Sequence, residues 1–214
     1  MSPTLSQIGE FGLIDRLKKQ IGKSSSVIKG IGDDAAVVPI SSRKYLLMTA
    51  DMLIEGTHFT KKTPARAIGH KALACSISDI AAMGGTAKYA VVSLGVPPSC
   101  PVSFISSIYQ GMADLAKKFN VCIVGGDTVK SDKIIINVTL AGEVSKGELI
   151  YRKGASRGDH IFVTGPLGRS LSSGWHARFT PRIAQSQFLV RQCKPSAMID
   201  ISDGLIQDLG HILF

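Results

Sequence analysis

The spacing of apolar residues predicts helices that alternate with short strands. An amphipathic helix is predicted over residues 5–21, where apolar side chains recur every three or four positions (Ile8, Phe11, Ile14, Leu17 and Ile21). Two further helices are predicted over residues 64–83 and 102–119; Pro64 suits the first turn of its helix and Gly84-Gly85 ends it. Apolar runs predict strands over residues 35–40, 45–50, 88–96, 121–124 and 133–144. This order predicts an α/β fold of the α+β type, built on a mixed sheet.

The composition changes after Gly165, where Gly, Ser and basic residues dominate up to Pro181 and predict a linker or loop. Short strands are predicted over residues 160–164 and 198–201, and a helix from Asp203 onward. We therefore expect a complete domain over residues 1–145 and the beginning of a second, incomplete α/β domain over residues 146–214.

The composition excludes several classes of protein. Hydrophobic residues make up 44% and charged residues 19% of the 214, which is typical of a packed core rather than a disordered chain. No apolar run approaches the ~18 residues of a membrane span, and the chain does not start like a secretory signal. The four cysteines lie far apart with no CxxC pair, which argues against zinc-ribbon and disulfide scaffolds and predicts a cytoplasmic location.

The net charge of +9 favours an anionic partner, but the basic residues are spread along the chain without a basic tract. We therefore expect small phosphorylated ligands, with neither nucleic acid nor membrane as a partner. A basic nucleic-acid-binding protein remains the alternative from another class. The acidic residues carry more information, because 12 of the 16 are Asp and many stand beside Gly, Ala or Ser.

Two nucleotide-binding motifs match only in part. Gly22-Lys23-Ser24 resembles the end of a P-loop, but the first glycine that the motif requires is replaced by Leu17. Residues 30–35 satisfy G-x-G-x-x-A, yet two adjacent carboxylates, Asp33 and Asp34, would repel a pyrophosphate. Two aspartates beside a phosphate require cations between them, so this segment predicts a metal–phosphate site rather than a dinucleotide site.

Five segments place an Asp beside small residues at a predicted strand or helix end. They are Gly32-Asp33-Asp34-Ala35, Thr49-Ala50-Asp51, Ser78-Asp79-Ile80, Gly125-Gly126-Asp127-Thr128 and Asp200-Ile201-Ser202-Asp203-Gly204. Hard divalent ions prefer carboxylate oxygens, and Mg²⁺ commonly bridges Asp and substrate phosphate. Each Asp alone could instead cap a helix or turn. Asp79 is the exception, because it lies on an otherwise apolar helix and should have a cationic partner.

The ordered motifs GIGDDAA, TADMLIEGTHF, ALACSISDIAAMGG, GGDTVKSD, YRKGASRGD and MIDISDGLIQDLGHI resemble the thiamine-monophosphate kinase family. This family belongs to a superfamily with aminoimidazole ribonucleotide synthetase, selenophosphate synthetase and a hydrogenase maturation protein. The match runs from Glu10 to about His211. The resemblance implies two α/β domains, the first of the aminoimidazole ribonucleotide synthetase type, and a homodimer in which strands of the first domains form a barrel.

The resemblance also implies an activity and a set of site residues. The implied reaction is Mg²⁺-assisted, in-line transfer of the γ-phosphoryl group of ATP to thiamine monophosphate. The positions that match Mg²⁺ ligands of the family are Asp34, Thr49, Asp51, Asp79, Asp127, Asp200 and Asp203. Tyr109, Gly126, Asp127, Arg152 and Ser202 match nucleotide contacts, and His58 matches a contact to the thiamine phosphate. No further catalytic residue is expected, since the acceptor phosphate is already ionised at neutral pH.

The chain also departs from the family pattern. Family members continue beyond Phe214 and supply there an acidic and an aromatic residue that contact thiamine, and the stretch from Arg169 to Pro181 is shorter than expected. Position 50 is Ala50, where some relatives carry a hydroxyl residue. We interpret the sequence as a fragment, with a shortened homologue as the alternative. Rival functions are another enzyme of the superfamily, such as an aminoimidazole ribonucleotide synthetase, and a non-catalytic ATP-binding remnant.

Overall fold

A computed structural model of the chain describes residues 3–22 and 24–213. The strands are β1 (Ala36–Pro39), β2 (Lys44–Ile54), β3 (Thr86–Val96), β4 (Cys122–Lys130) and β5 (Ile135–Ser145). The α-helices are α1 (Leu5–Ile21), α2 (Ala65–Ala82), α3 (Val102–Phe119), α4 (Ile183–Phe188) and α5 (Leu205–Leu213). Among the helices that the structure describes, none combines the length and the apolar composition needed to span a bilayer.

The five strands form one mixed sheet in the order β1-β2-β5-β3-β4. All neighbouring strands are antiparallel except β3 and β4, which are parallel because α3 connects them as a crossover helix. The predicted α/β fold with a mixed sheet is confirmed.

Helices α2 and α3 cover one face of the sheet and form the core with it. Ile77 and Ile80 of α2 are fully buried with Leu47, Val138 and Leu140 of the sheet. The two helices approach closely at a pair of glycines. A Cβ atom on Gly69 would lie 1.8 Å from the carbonyl oxygen of Ile108, and one on Gly111 would lie 2.0 Å from that of Arg66. Only glycine therefore fits at these two positions.

The other face of the sheet is open and carries several exposed apolar side chains. The strand register alternates side chains between the faces, so Leu47, Thr49 and Asp51 of β2 share the helix-covered face while the residues between them point away. The exposed apolar side chains of this second face are Met48, Met52, Tyr89, Val91 and Val129. We call these five residues the open face.

Strand β4 is longer and more exposed than the predicted buried strand over residues 121–124. It continues through Gly125 and Gly126, where the chain was predicted to leave the sheet, and these glycines pair with Val91 and Val92 of β3. A Cβ atom on Gly126 would lie 1.9 Å from the carbonyl oxygen of Val92. The glycine pair therefore allows a close approach of two backbones rather than a turn, and the edge position explains the exposure of β4.

Two predicted strands and one core prediction are wrong. Residues 160–164 and 198–201 form no strand, because in the described part of the chain they have no strand neighbour to complete a ladder, and Phe162 is 84% exposed. Helix α1 forms as predicted, but none of its residues is buried and its backbone is kinked at Gly9. Leu17, which belongs to the apolar stripe that an amphipathic helix would bury in the core, is therefore exposed.

Candidate active site

Four aspartates from separate segments converge at one end of α2. Asp34 precedes β1, Asp51 lies on β2, Asp79 lies in the last turn of α2, and Asp200 precedes α5. Carboxylate oxygens of Asp34, Asp79 and Asp200 lie within 4.8 Å of one another. Asp51, on the neighbouring strand, lies near enough for its charge to raise the pKa of Asp79. We call these four residues the acid cluster.

The sheet register and α2 together hold the acid cluster. Because Thr49 and Asp51 are two residues apart on β2, both side chains point toward α2. The Thr49 hydroxyl donates to Asp79 Oδ2 over 2.5 Å, and the fully buried Ser76 hydroxyl of α2 donates to Asp51 Oδ2 over 2.8 Å. In this arrangement Thr49 acts as a hydrogen-bond donor to a cluster carboxylate.

The loop after β5 brings a cation to the acid cluster. The backbone N–H of Met198 donates to the carbonyl of Tyr151 over 3.1 Å, which aligns the two loops that carry Arg152 and Asp200. Arg152 Nε and Nη2 both donate to Asp34 Oδ1, over 3.0 Å and 2.5 Å. Asp34 Oδ2 is buried without a hydrogen-bond partner among the described residues. One oxygen of this carboxylate is therefore held by protein and the other is available to a ligand.

Asp33 has a different role from its neighbour. Its Oδ1 accepts a hydrogen bond from the backbone N–H of Arg152 over 3.1 Å, and Lys29 Nζ lies 3.1 Å from its Oδ2. Asp33 thus fixes the loop of Arg152 against the start of β1. Of the two adjacent carboxylates, Asp33 therefore binds protein groups, whereas Asp34 belongs to the acid cluster.

Burial raises the pKa of every carboxyl in the acid cluster. Desolvation raises the pKa of Asp79 to about 9, with further increases from the charges of Asp51 and Asp200. Desolvation raises the pKa of Asp34 to about 7 against the lowering effect of Arg152, and that of Asp200 to about 6 against a hydrogen bond from Ser78. The pKa of Asp51 is also raised by desolvation. The cluster therefore holds protons near neutral pH, and a bound cation would displace them.

The acid cluster fits divalent cations of the Mg²⁺ type. Its donor atoms are carboxylate oxygens, which hard cations prefer, and the buried oxygen of Asp34 lacks a partner that a cation could supply. These residues contain no His or Cys ligand, so zinc and iron fit poorly.

His58 lies in the loop after β2, at the opposite end of α2 from Asp79. Its Nδ1 accepts a hydrogen bond from the backbone N–H of Ile54 over 3.0 Å. Its carbonyl oxygen accepts a hydrogen bond from Lys71 Nζ of α2 over 2.9 Å. The neutral ring consequently carries its proton on Nε2, which can donate to a ligand.

Other predicted site residues lie outside the acid cluster. Asp127 pairs with Ser93 on β3, and the same row of the sheet continues through Asn137 on β5 to Met52 on β2. This register places the Asp127 side chain on the side of the sheet away from α2. Three strand spacings, about 14 Å, separate it from β2. Its neighbour Gly126 belongs to the same exposed strand. Their roles as metal and nucleotide ligands stay predictions.

Ser202 and Asp203 are exposed in the turn before α5. The backbone N–H groups of Ser202, Asp203 and Gly204 all donate to Oδ2 of the buried Asp208. Tyr109 is half-buried in a separate groove of about 580 Å³ between α3 and β4, which Thr128 and Lys130 also line. The predicted ligand roles of Ser202, Asp203 and Tyr109 likewise stay predictions.

Several residues that build the site carry no motif signal of their own. Ser76, Lys71 and Asp208 act through hydrogen bonds to Asp51, His58 and the 202–204 turn. Helical spacing could have identified Lys71, because Lys71, Cys75 and Asp79 recur every four residues on α2. The partners of Ser76 and Asp208 depend on tertiary packing.

Comparison with known proteins decides the family. Thiamine-monophosphate kinase of Aquifex aeolicus is 37% identical over 227 residues, covering 97% of this chain and 71% of that enzyme. Its counterpart in Bacillus subtilis is 37% identical over 226 residues, covering 95% of this chain and 69% of that enzyme. The chain belongs to the thiamine-monophosphate kinase family. The resemblance found in its motifs is confirmed.

The fold comparison agrees with this membership of the thiamine-monophosphate kinase family. The family model "AIR synthase related protein, N-terminal domain" matches residues 32–144. A solved structure described as AaThiL complexed with AMPPCP and TMP superposes with a TM-score of 0.87 at 34% identity, covering 99% of this chain and 72% of that one. The alignment to the A. aeolicus enzyme is longer than the 214 residues of this chain, so that relative has residues without a counterpart here.

Proposed function

We propose that this chain transfers the γ-phosphoryl group of ATP to thiamine monophosphate and releases thiamine diphosphate and ADP. The observation that carries the proposal is the acid cluster, four converging aspartates with one buried carboxylate oxygen free for a cation. Membership of the thiamine-monophosphate kinase family supports it, as does the likeness to a relative bound to AMPPCP and TMP.

The main obstacle to this reaction is the repulsion between two polyanions. Mg²⁺ ions bound to Asp34, Asp51, Asp79 and Asp200 would neutralise phosphate charge in this site. Thr49 and Ser76 would keep Asp79 and Asp51 in place by the hydrogen bonds described above. Asp127 and Asp203 are proposed as further metal ligands on the resemblance alone.

Arg152 is proposed to contact the nucleotide phosphates. Its Nε and Nη2 hold Asp34, and the guanidinium has further N–H donors on the same planar group. Tyr109, Gly126, Asp127 and Ser202 are proposed nucleotide contacts. Tyr109 lines a groove with Thr128, on the opposite face of β4 from Asp127, so these four contacts are proposed on the resemblance alone.

His58 is proposed to bind the acceptor phosphate. The Ile54 N–H occupies Nδ1, so Nε2 is the ring atom that can donate to a phosphate oxygen. A phosphate monoester has a second pKa near ~6 and is already an anion at neutral pH, so the reaction needs no general base to create the nucleophile. The protein's task is to orient the two phosphates and to compensate their charge.

We further propose a homodimer formed through the open face, in keeping with the barrel that the resemblance implies. Five apolar side chains exposed on one sheet face form a surface that a second copy would cover. We also propose a division into domains over residues 1–145 and 146–214 and a cytoplasmic location.

The proposed function is tested by ADP release from the 214-residue chain with Mg²⁺, ATP and thiamine monophosphate. We expect turnover that depends on this acceptor and is lost in Asp79→Asn. Turnover only with formylglycinamidine ribonucleotide would identify an aminoimidazole ribonucleotide synthetase-like enzyme instead. Nucleotide binding without turnover of any acceptor would identify a non-catalytic remnant.

A further inference from the structure

Lys71 has an unusual position for a lysine of this chain. It is half-buried on α2, and its Nζ donates to the carbonyl oxygen of His58 over 2.9 Å. It stands on the same helix face as Cys75 and Asp79, at successive intervals of four residues. Two helical turns, about 12 Å, separate it from the acid cluster residue Asp79 along the axis of α2.

The contact of Lys71 fixes the residue that is proposed to bind the acceptor. The ring of His58 is held at Nδ1 by the N–H of Ile54, and its backbone is held at the carbonyl by Lys71. The N–H of His58 also donates to the carbonyl of Ile54 over 2.9 Å. Among the hydrogen bonds of the described residues, only that of Lys71 joins His58 to α2, the helix that carries Asp79, so it restrains the position of His58 relative to the acid cluster.

The charge of Lys71 complements that of Arg152. Arg152 contacts the acid cluster at Asp34, whereas Lys71 lies at the His58 end of α2. Cys75 lies one helical turn from both Lys71 and Asp79, so it stands between the ammonium and the acid cluster along α2. Two basic side chains therefore contact site residues, Arg152 at Asp34 and Lys71 at His58.

We propose that Lys71 is a positioning residue for thiamine monophosphate: it holds His58 at the distance from the acid cluster that the acceptor phosphate requires. This inference rests on the proposed function. Because Lys71 acts through His58, its loss should impair acceptor binding while nucleotide binding at the other end of the site persists.

The test compares Lys71→Met and Lys71→Arg with Lys61→Met, an exposed lysine in the loop that follows His58. In Lys71→Met we expect the KM for thiamine monophosphate to rise at least about tenfold, which is the lower end of the effect expected when a hydrogen bond from a charged group is removed. The KM for ATP should be almost unchanged. Lys71→Arg should recover most of this loss, and Lys61→Met should match the unaltered chain. Calorimetric binding of thiamine monophosphate in the presence of Mg²⁺ and AMPPCP should show the same ranking.

Repeating Lys71→Met in a His58→Ala background separates positioning from direct contact. If Lys71 acts through His58, the second substitution adds little to the loss caused by the first. An undiminished further loss would mean that Lys71 contacts the phosphate itself, and the positioning role would be wrong. If thermal unfolding shows that Lys71→Met does not fold, Lys71→Gln carries the same comparison.

The two proposals fail in different ways. If the unaltered chain neither binds nor phosphorylates thiamine monophosphate, the proposed function is wrong and the role of Lys71 falls with it. If the unaltered chain is active and Lys71→Met behaves like Lys61→Met, the proposed function stands and the role of Lys71 is wrong.

Discussion

Arg152 donates two hydrogen bonds to a single oxygen of Asp34, while the other oxygen of that carboxylate is buried without a partner among the described residues. A buried carboxylate oxygen without a hydrogen-bond partner costs free energy, so this site favours the binding of a cation beside Asp34. The guanidinium satisfies one side of Asp34 and keeps it oriented for the other. Arg152 therefore links the proposed nucleotide contact to the acid cluster.

Replacing Arg152 by Met should raise the pKa of Asp34 further above its value of about 7. The guanidinium is the group that opposes desolvation at this carboxyl, both by hydrogen bonding and by its charge. Carboxyl ¹³C NMR titration without divalent ions would measure the change. Arg157→Met, an exposed arginine of the same loop, is the control. An unchanged Asp34 titration in Arg152→Met would contradict the ion pair.

The stability of the metal-free protein should fall as the pH rises from about 5 to 9. An unfolded Asp loses its proton near pH ~4, whereas the folded chain keeps protons on Asp200, Asp34 and Asp79 up to pKa values of about 6, 7 and 9. The folded state then binds more protons than the unfolded state, so rising pH lowers the free energy of unfolding. We expect the Tm in EDTA to fall by at least about 3 °C, equivalent to roughly 1 kcal/mol for a chain of this size.

The pH window starts at 5 to exclude other carboxyls. Hydrogen bonds lower the pKa of Asp114, Glu143 and Asp159, so these groups change stability only at more acidic pH. Asp79→Asn should flatten the upper part of the profile, and saturating Mg²⁺ should restore the Tm of the unaltered chain at high pH. A Tm that rises from pH 5 to 9 in EDTA would show that the cluster is not buried as described.

The placement of Asp127 predicts that metal binding depends unequally on the aspartates. Mn²⁺ affinity in the absence of nucleotide, measured by EPR, should fall at least about tenfold in Asp79→Asn, as for groups that support a metal site. Asp127→Asn should leave this affinity of the acid cluster unchanged, because Asp127 lies on the opposite side of the sheet and any ion that it binds would be a separate one. An equal loss in both variants would require Asp127 to join the acid cluster.

The sequence alone identifies some residues of this site better than others, and the reason is physical. Asp34, Asp51 and Asp79 were identifiable because a carboxylate among apolar or small residues needs a partner, and the structure brings them together with Asp200. Asp127 has the same sequence surroundings, but its glycines serve the close pairing of β3 and β4. A local motif does not reveal which face of the sheet a residue occupies; the strand register decides that.

The fold was predictable where local pattern and tertiary packing agree. Helices α2 and α3 and the succession of strands around them along the chain follow from periodicity, and they form as predicted. The segment over residues 160–164 has the composition of a strand, yet a strand exists only with a neighbour. Hydrogen bonds such as that of Lys71 to His58 join residues from separate elements and leave no periodic trace.

Gly111→Ala should destabilise the protein, because the added methyl group would meet the backbone of Arg66 at the contact of α2 and α3. Overpacking at such a contact costs about 1–3 kcal/mol. Gly210→Ala is a matched helical control with open space around it, and it should be neutral or stabilising by up to about 1 kcal/mol. Urea denaturation of both variants would measure the difference. Equal stabilities would mean that the two helices do not approach as closely as described.

Charge placed on the open face should dissociate the proposed homodimer without unfolding the chain. Val91 lies near the centre of this face, between Thr139 of β5 and Gly125 of β4, and is 42% exposed. In Val91→Lys a dimer would bury an unpaired ammonium, which is strongly unfavourable, whereas in a monomer the side chain would remain in water. Analytical ultracentrifugation should therefore find the unaltered chain dimeric and Val91→Lys monomeric. Val102→Lys, at an exposed position at the start of α3, should remain dimeric. A monomeric unaltered chain, or a Val91→Lys dimer as tight as the original, would exclude the open face as the contact.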